Sequence, residues 1–187
     1  MSKSVPIELY SDGSCQPTNP GPGGVGYIVR YFESKEDSEE LIPHKFEGVK
    51  GFKMTTNNRM EILAMIMGLE LIINKVQSNE FNNVRYINSY TDSKYVSDCV
   101  QNKWIQRWQA NGWVTKSMQP VKNKDLWELM TEAIDKLNLL KINLKVHHIP
   151  GHQGYEFNEE CDKLAVSAAR DIVNQVKDEG YEKSLNT

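Results

Sequence analysis

At 187 residues, with 39% hydrophobic and 25% charged side chains, the chain has the size of one domain able to bury a core without metal or disulfide staples. Its three cysteines, Cys15, Cys99 and Cys161, are odd in number and far apart, which argues against a disulfide scaffold and suits a reducing compartment. No apolar run reaches membrane-spanning length, no signal-peptide core follows Lys3, and the net charge of −3 argues against a uniformly basic surface, so a cytoplasmic chain without a membrane partner is expected.

Residues 7–10 read as a short strand that ends at Asp12-Gly13. A loop dense in Gly and Pro follows over 17–24, then a second strand over 25–32. The acid run at 33–40 reads as a solvated connection. A third strand lies within 44–54, its limits blurred by Gly48 and Gly51. The clearest helix spans 58–75, where Ile62, Met65, Ile66, Leu69, Ile72 and Ile73 recur at helical spacing. Residues 84–90 read as a strand that delivers Asp92, and 93–100 as a short helix. The stretch 104–113 is aromatic and interrupted by Gly112, and Pro120 breaks the chain. A helix over 125–137 puts Leu126, Leu129, Met130, Ala133 and Leu137 on one face. A strand over 142–149 leads through a loop at 150–154 into a last helix, from near 158 to near 176, and a frayed tail. This order predicts an α/β fold with mixed α+β layering, a five-stranded mixed sheet flanked by helices. Residues 1–6 form an N-terminal extension, 7–170 the domain, and 171–187 the end of the last helix and a solvated tail.

Four acids stand out by context: Asp12 and Asp92 at strand ends, Glu61 in the first turn of the long helix, and Asp162 early in the last one. Strand ends in α/β sheets are where sites gather. Four converging carboxylates repel unless a cation offsets them, and all-oxygen ligands favour Mg²⁺ or Mn²⁺ over zinc. Two such ions roughly 4 Å apart would clamp the attacking water and leaving oxygen of a phosphodiester. Plainer readings stand beside this one. Asp12 before Gly13 makes a turn, Glu61 closes a capping box opened by Asn58, Asp92 caps the helix after it, and Asp162 is a surface charge. With 25 acids in the chain, spacing alone does not choose.

The motifs do. Tyr10-Ser11-Asp12-Gly13-Ser14-Cys15, Asn19-Pro20-Gly21-Pro22-Gly23-Gly24, Thr55-Thr56-Asn57-Asn58-Arg59-Met60-Glu61, Tyr90-Thr91-Asp92-Ser93, Gly151-His152 and Asn158-Glu159-Glu160-Cys161-Asp162 occur in that order. Trp104, Trp108, Gly112, Trp113 and Pro120-Val121-Lys122-Asn123 fit the same pattern. From about residue 7 to 170 the chain resembles the ribonuclease H1 family of bacteria and phages. The resemblance implies a ribonuclease H-like fold with 7–170 as its catalytic domain. It implies an endonuclease that cuts the RNA strand of an RNA–DNA hybrid and leaves 5′-phosphate and 3′-hydroxyl ends. Asp12, Glu61, Asp92 and Asp162 would hold two divalent ions, Mg²⁺ or Mn²⁺. His152, in the glycine-flanked loop, would assist proton transfer or product release. His147 and His148 adjoin in a strand, face opposite sides and read as structural. A related superfamily nuclease, or a non-catalytic nucleic-acid-binding module of the same fold, is the rival reading.

The same resemblance places Cys15, Asn19, Asn57, Asn58 and Gln77 near the substrate. Asn57 and Asn58 also lie at a helix start, where free N–H groups favour phosphate. Telling RNA from DNA requires sensing 2′-hydroxyls across the minor groove, a task for side-chain amides and backbone carbonyls. Trp104 and Trp108 read as packing residues of the family's protruding helical handle, while Trp113 and Lys122 are candidates for contact. The family's handle is rich in lysine. Here Gln109, Ala110, Asn111, Met118 and Gln119 dilute it, and Lys103, Arg107, Lys116 and Lys122 remain, which predicts a weaker, less salt-dependent grip. A monomer is expected.

Overall fold

A computed structural model describes residues 5–34, 40–151 and 153–186. Val5, Ile7 and Leu9 alternate with less buried neighbours, and they begin the central strand β1 (Val5–Cys15). Two long strands, β2 (Gly21–Ser34) and β3 (Leu41–Thr55), follow it in an antiparallel meander. The helix α1 (Asn57–Gln77) then crosses to β4 (Val84–Thr91), which pairs parallel to β1 on its other side. After α2 (Lys94–Gln101), α3 (Trp104–Ala110) and α4 (Lys124–Leu139), the edge strand β5 (Asn143–His148) pairs parallel to β4. The sheet order is β3-β2-β1-β4-β5, the five-stranded mixed sheet that the element order predicts.

One face of the sheet carries the main core, where Ile7, Leu9 and Ile87 meet Ile62, Met65, Ile66, Leu69, Ile72 and Ile73 of α1. Trp127 of α4 is fully buried there. Trp108 of the handle sits with its ring centroid 6.0 Å from that of Trp127, which bolts the handle down as expected of a packing residue. The other face is covered over β1, β2 and β3 by α5 (Glu156–Arg170). That helix lies unusually close. A Cβ at Gly24 would overlap the Ala165 carbonyl oxygen, and one at Gly26 the Cys161 carbonyl oxygen. The inward stripe of α5 is correspondingly small: Cys161, Ala165, Ala168 and Ala169.

Three expectations change. Asp12 does not end the first strand. Pairing with the glycine-rich start of β2 carries β1 on to Cys15, with Asp12 opposite Gly26. The glycines taken for a loop over 17–24 lie in β2, where Gly24 lets α5 approach and Gly23 makes room for Thr55 and Met60. The last helix stops at Arg170, and the tail, though most of its side chains are exposed, docks back on the domain through buried Gln175 and Asp178. It turns through a 3-10 segment (Ile172–Asn174), and Val176 then hydrogen-bonds the backbone of β3 at Gly51 and Lys53. Asp178 follows, buried, as the side-chain cap of a short helix α6 (Glu179–Ser184). Arg59 of α1, 3% exposed, binds that carboxylate through Nε at 2.7 Å and Nη2 at 2.9 Å. Arg59 also bonds Asp125 through Nη1 at 2.9 Å and Nη2 at 2.6 Å. The strap made by 171–186 is thereby fastened to the starts of both α1 and α4.

Candidate active site

Gly13 permits the close approach on which the site is built. A Cβ there would overlap the backbone of Met60 and Glu61, so only glycine lets the first turn of α1 lie on β1. That approach sets the Glu61 carboxylate beside Asp12. Asp92 arrives from the parallel neighbour. Tyr10 pairs with Tyr90, so Asp12 and Asp92 each lie two residues further along adjacent strand paths. Carboxylate oxygens of Asp12, Glu61 and Asp92 all lie within 4.8 Å of one another. Asp162 is half-buried on α5, next to Cys161 whose carbonyl packs on Gly26, the partner of Asp12, and its charge is felt at Asp12. Three of the four acids expected from sequence thus form one cluster, and the charge of the fourth, Asp162, acts on Asp12.

The plainer readings of Asp12, Glu61 and Asp92 do not hold. Thr56 caps α1 by accepting from the Arg59 N–H, and Ser93 caps α2 by accepting from the Val96 N–H. Neither Glu61 nor Asp92 serves as a cap. Asp12 and Glu61 are only 5% and 7% exposed. Burial, then the charges of Asp92 and Asp162, push the Asp12 carboxyl up to about 8, against the Gly13 N–H that donates to Oδ1 at 2.7 Å. Burial, then Asp12 and Asp92, likewise raise Glu61 well above the usual carboxylate range, against the Gly13 N–H and the Asn57 amide. Asn57 Nδ2 donates to Glu61 Oε1 at 3.3 Å, while Oε2 is buried with no hydrogen-bond partner among the described residues. An unpartnered buried carboxylate oxygen is costly unless something satisfies it. In a cluster of hard oxygen donors that something is a divalent cation, so the donor set fits Mg²⁺-like ions.

Supporting residues surround Asp92. Asn158, 2% exposed, donates from Nδ2 to Asp92 Oδ2 at 3.4 Å. His148 Nε2 lies 3.2 Å from the Asp92 carbonyl oxygen, and a Cβ at Gly151 would come within 2.7 Å of Oδ2. Asn158 was legible only as part of a motif, yet it stands four residues before Asp162 and so on the same face of α5. His147 instead stacks on Tyr90 at 4.9 Å and pairs with Asn88 at 3.0 Å, a structural role as expected. His152 lies outside the described residues.

The residues expected to hold substrate divide into two sets. Asn19 accepts the Asn57 N–H through Oδ1 at 3.1 Å, which ties the loop after β1 to the start of α1. Exposed Asn58 lies beside them. Cys15 donates its thiol to the Thr18 carbonyl at 3.2 Å, and burial pushes that thiol up, keeping it a neutral donor. Lys122 is exposed and lines a groove together with Asn58. Trp113 is partly buried against the main core, with Lys124 Nζ 5.9 Å from its ring. Gln77 is not brought to the site. It ends α1, sixteen residues beyond Glu61, roughly 24 Å away at the usual helical rise.

A mixed sheet that gathers carboxylates from β1, α1 and the end of β4 within 4.8 Å of one another, a donor set that fits a divalent cation, defines a metal-dependent nuclease. The family model for RNase H matches residues 4–170, and the chain belongs to that family. It is 40% identical over 181 residues to a ribonuclease H of Idiomarina loihiensis, covering 97% of this chain and 98% of the relative. It is 36% identical over 185 residues to a ribonuclease H of Shewanella denitrificans, covering 99% of each. Among solved structures it resembles LC9-RNase H1, a type 1 RNase H with the type 2 active-site motif. That match has a TM-score of 0.66 at 25% identity and covers 100% of this chain and 83% of the other. The fold also matches LC11-RNase H1, crystallised with an RNA/DNA hybrid, at TM-score 0.55 and 21% identity, covering 96% and 99%.

Proposed function

We propose that this chain hydrolyses the RNA strand of RNA–DNA hybrids endonucleolytically, leaving 5′-phosphate and 3′-hydroxyl ends. Its acids Asp12, Glu61, Asp92 and Asp162 hold two divalent ions, Mg²⁺ or Mn²⁺. The observation that carries this reading is the group of three carboxylates within 4.8 Å, with Glu61 Oε2 buried and unpartnered. When bound, such ions supply Lewis-acid activation of water and neutralise charge at the phosphodiester. The chain's own side chains orient and exclude. Gly13 fixes Asp12 through its N–H, Asn57 fixes Glu61, and Asn158 fixes Asp92, so each carboxylate presents a set direction. The first turn of α1, with Asn57, Asn58 and Asn19, receives backbone phosphate. Cys15 completes the floor of that approach, and Trp113 and Lys122 flank the duplex. His152 moves a proton at the scissile oxygen. Among the described residues no helix is long and apolar enough to cross a membrane. The working form is a cytoplasmic monomer.

Labelled RNA–DNA hybrid, double-stranded RNA and double-stranded DNA, each incubated with Mg²⁺, Mn²⁺ or EDTA, test the reading. An Asp92→Asn preparation controls for contaminating nuclease. Cleavage confined to the RNA strand of the hybrid, and lost with EDTA and with the substitution, is the expected result. Cleavage of none of the three substrates would favour a binding module, and cleavage of DNA a superfamily cousin.

A further inference from the structure

The docked tail borders more than the core. A groove of about 790 Å³ runs beside the first turn of α1, the turn that carries Glu61. Asn58, Lys122 and Asn123 line it together with Tyr181 and Lys183 of α6. The wall supplied by α6 is held from several sides. Asp178 is 7% exposed and accepts from Arg59 and from the Thr55 hydroxyl at 2.6 Å. Gly180 sits so close that a Cβ would overlap the Asp125 carboxylate. Val176 is bonded to the edge of β3. The helix that carries Lys183 is therefore anchored to the domain at its start.

The charge there fits one class of partner. Among the described residues neither Lys122 nor Lys183 forms an ion pair, and both are exposed. Arg59 is spent on Asp125 and Asp178. Glu179 and Glu182, on the same short helix, do not line the groove. Two unpaired ammonium groups with amide and hydroxyl neighbours, beside a nuclease site, match a run of phosphates. We propose that the C-terminal strap is one wall of the nucleic-acid groove, and that Lys183, with Lys122, binds the sugar–phosphate backbone of the duplex. This rests on the nuclease reading above and assigns a binding role to a segment beyond the matched family region, which ends at residue 170.

Fluorescence anisotropy with a short RNA–DNA hybrid in EDTA, over a salt series, tests it without reliance on cleavage. Lys183→Gln should weaken binding roughly fivefold near 0.1 M salt and flatten the slope of log K against log salt by about 1. Lys177→Gln, an exposed strap lysine outside the groove, should change neither. Wild-type affinity and slope in Lys183→Gln would overturn the proposal, and so would an equal effect of Lys177→Gln, which would mean net charge alone. Thermal melts of both variants exclude unfolding as the cause. Hybrid binding that depends on Lys183 in a protein that cleaves nothing would sink the nuclease reading and leave the strap's role standing. Cleavage by the wild type with unaltered binding in Lys183→Gln would sink the strap's role alone.

Discussion

Buried Asp12 and Glu61 crowd against half-buried Asp92, and without a cation the repulsion among their ionised forms opposes folding. Asp12→Asn keeps an acceptor for the Gly13 N–H and deletes one charge, so the metal-free variant should melt higher than the wild type. The gain should be roughly 2–4 °C for each kcal/mol of repulsion relieved. The sign with pH follows from the raised carboxyl. Its ordinary value is near 4 and its folded value about 8, so the native state binds the extra proton between them. Stability from the protonated group is full below about 4 and is lost as pH rises toward 8. The advantage of Asp12→Asn should therefore widen across that window. Mg²⁺ should reverse the order, stabilising the wild type by about 2.7 kcal/mol at a hundredfold excess over Kd and the variant by less. Differential scanning calorimetry at pH 5 and pH 8, with and without Mg²⁺, checks both halves. A variant that melts lower than the wild type without metal would show that the carboxylates do not strain the fold.

At the scale of elements, the site depends on how closely α1 and α5 approach the sheet, and glycines set both distances. Gly26→Ala places a methyl group against the Cys161 carbonyl, so α5 must lift and Asp162 with it. The substitution should cost about 1–3 kcal/mol in urea unfolding and weaken Mg²⁺ binding by calorimetry. Loss of stability with unchanged metal affinity would mean that Asp162 does not depend on this contact. These glycines also show where sequence reading stops. The period of Ile62, Met65, Ile66, Leu69, Ile72 and Ile73 identifies α1 because an apolar stripe follows from burial on one face. The four acids could be named from motifs, though not from spacing. A run such as Pro20-Gly21-Pro22-Gly23-Gly24 carries the same local signal whether it turns or lies flat beneath a helix. Only what packs on its glycines, Met60 against Gly23 and Ala165 against Gly24, tells the two apart, and those contacts are long-range facts. The strap was illegible for a related reason. It docks through Asp178, Gln175 and backbone pairing, with no apolar periodicity to announce it.

Across the whole molecule, the Arg59–Asp178 pair joins α1 to a residue 119 positions further along the chain, close to the active-site end of that helix. Breaking one side of a buried pair strands a charge, so Asp178→Ala should destabilise by about 3 kcal/mol. The expected loss is moderated because Arg59 retains Asp125. Burial alone would raise the Asp178 carboxyl, but Arg59, the Thr55 hydroxyl and the Tyr181 N–H together hold it below its ordinary value. A depressed carboxyl contributes stability that is present above its unfolded value, near 4, and is lost as pH falls through the folded value. The gap between wild type and Asp178→Ala should therefore be full at pH 7, still nearly full at pH 4.5, and shrink below pH 4. Urea unfolding at pH 7, 4.5 and 3 measures it directly. A gap that stays constant to pH 3 would mean that the carboxylate's charge is not what fastens the strap. Because the strap also presents Lys183 to the groove, the same variant should weaken hybrid binding at pH 7 even where it remains folded. Its salt slope should then move toward that of Lys183→Gln, since both changes remove the same phosphate contact.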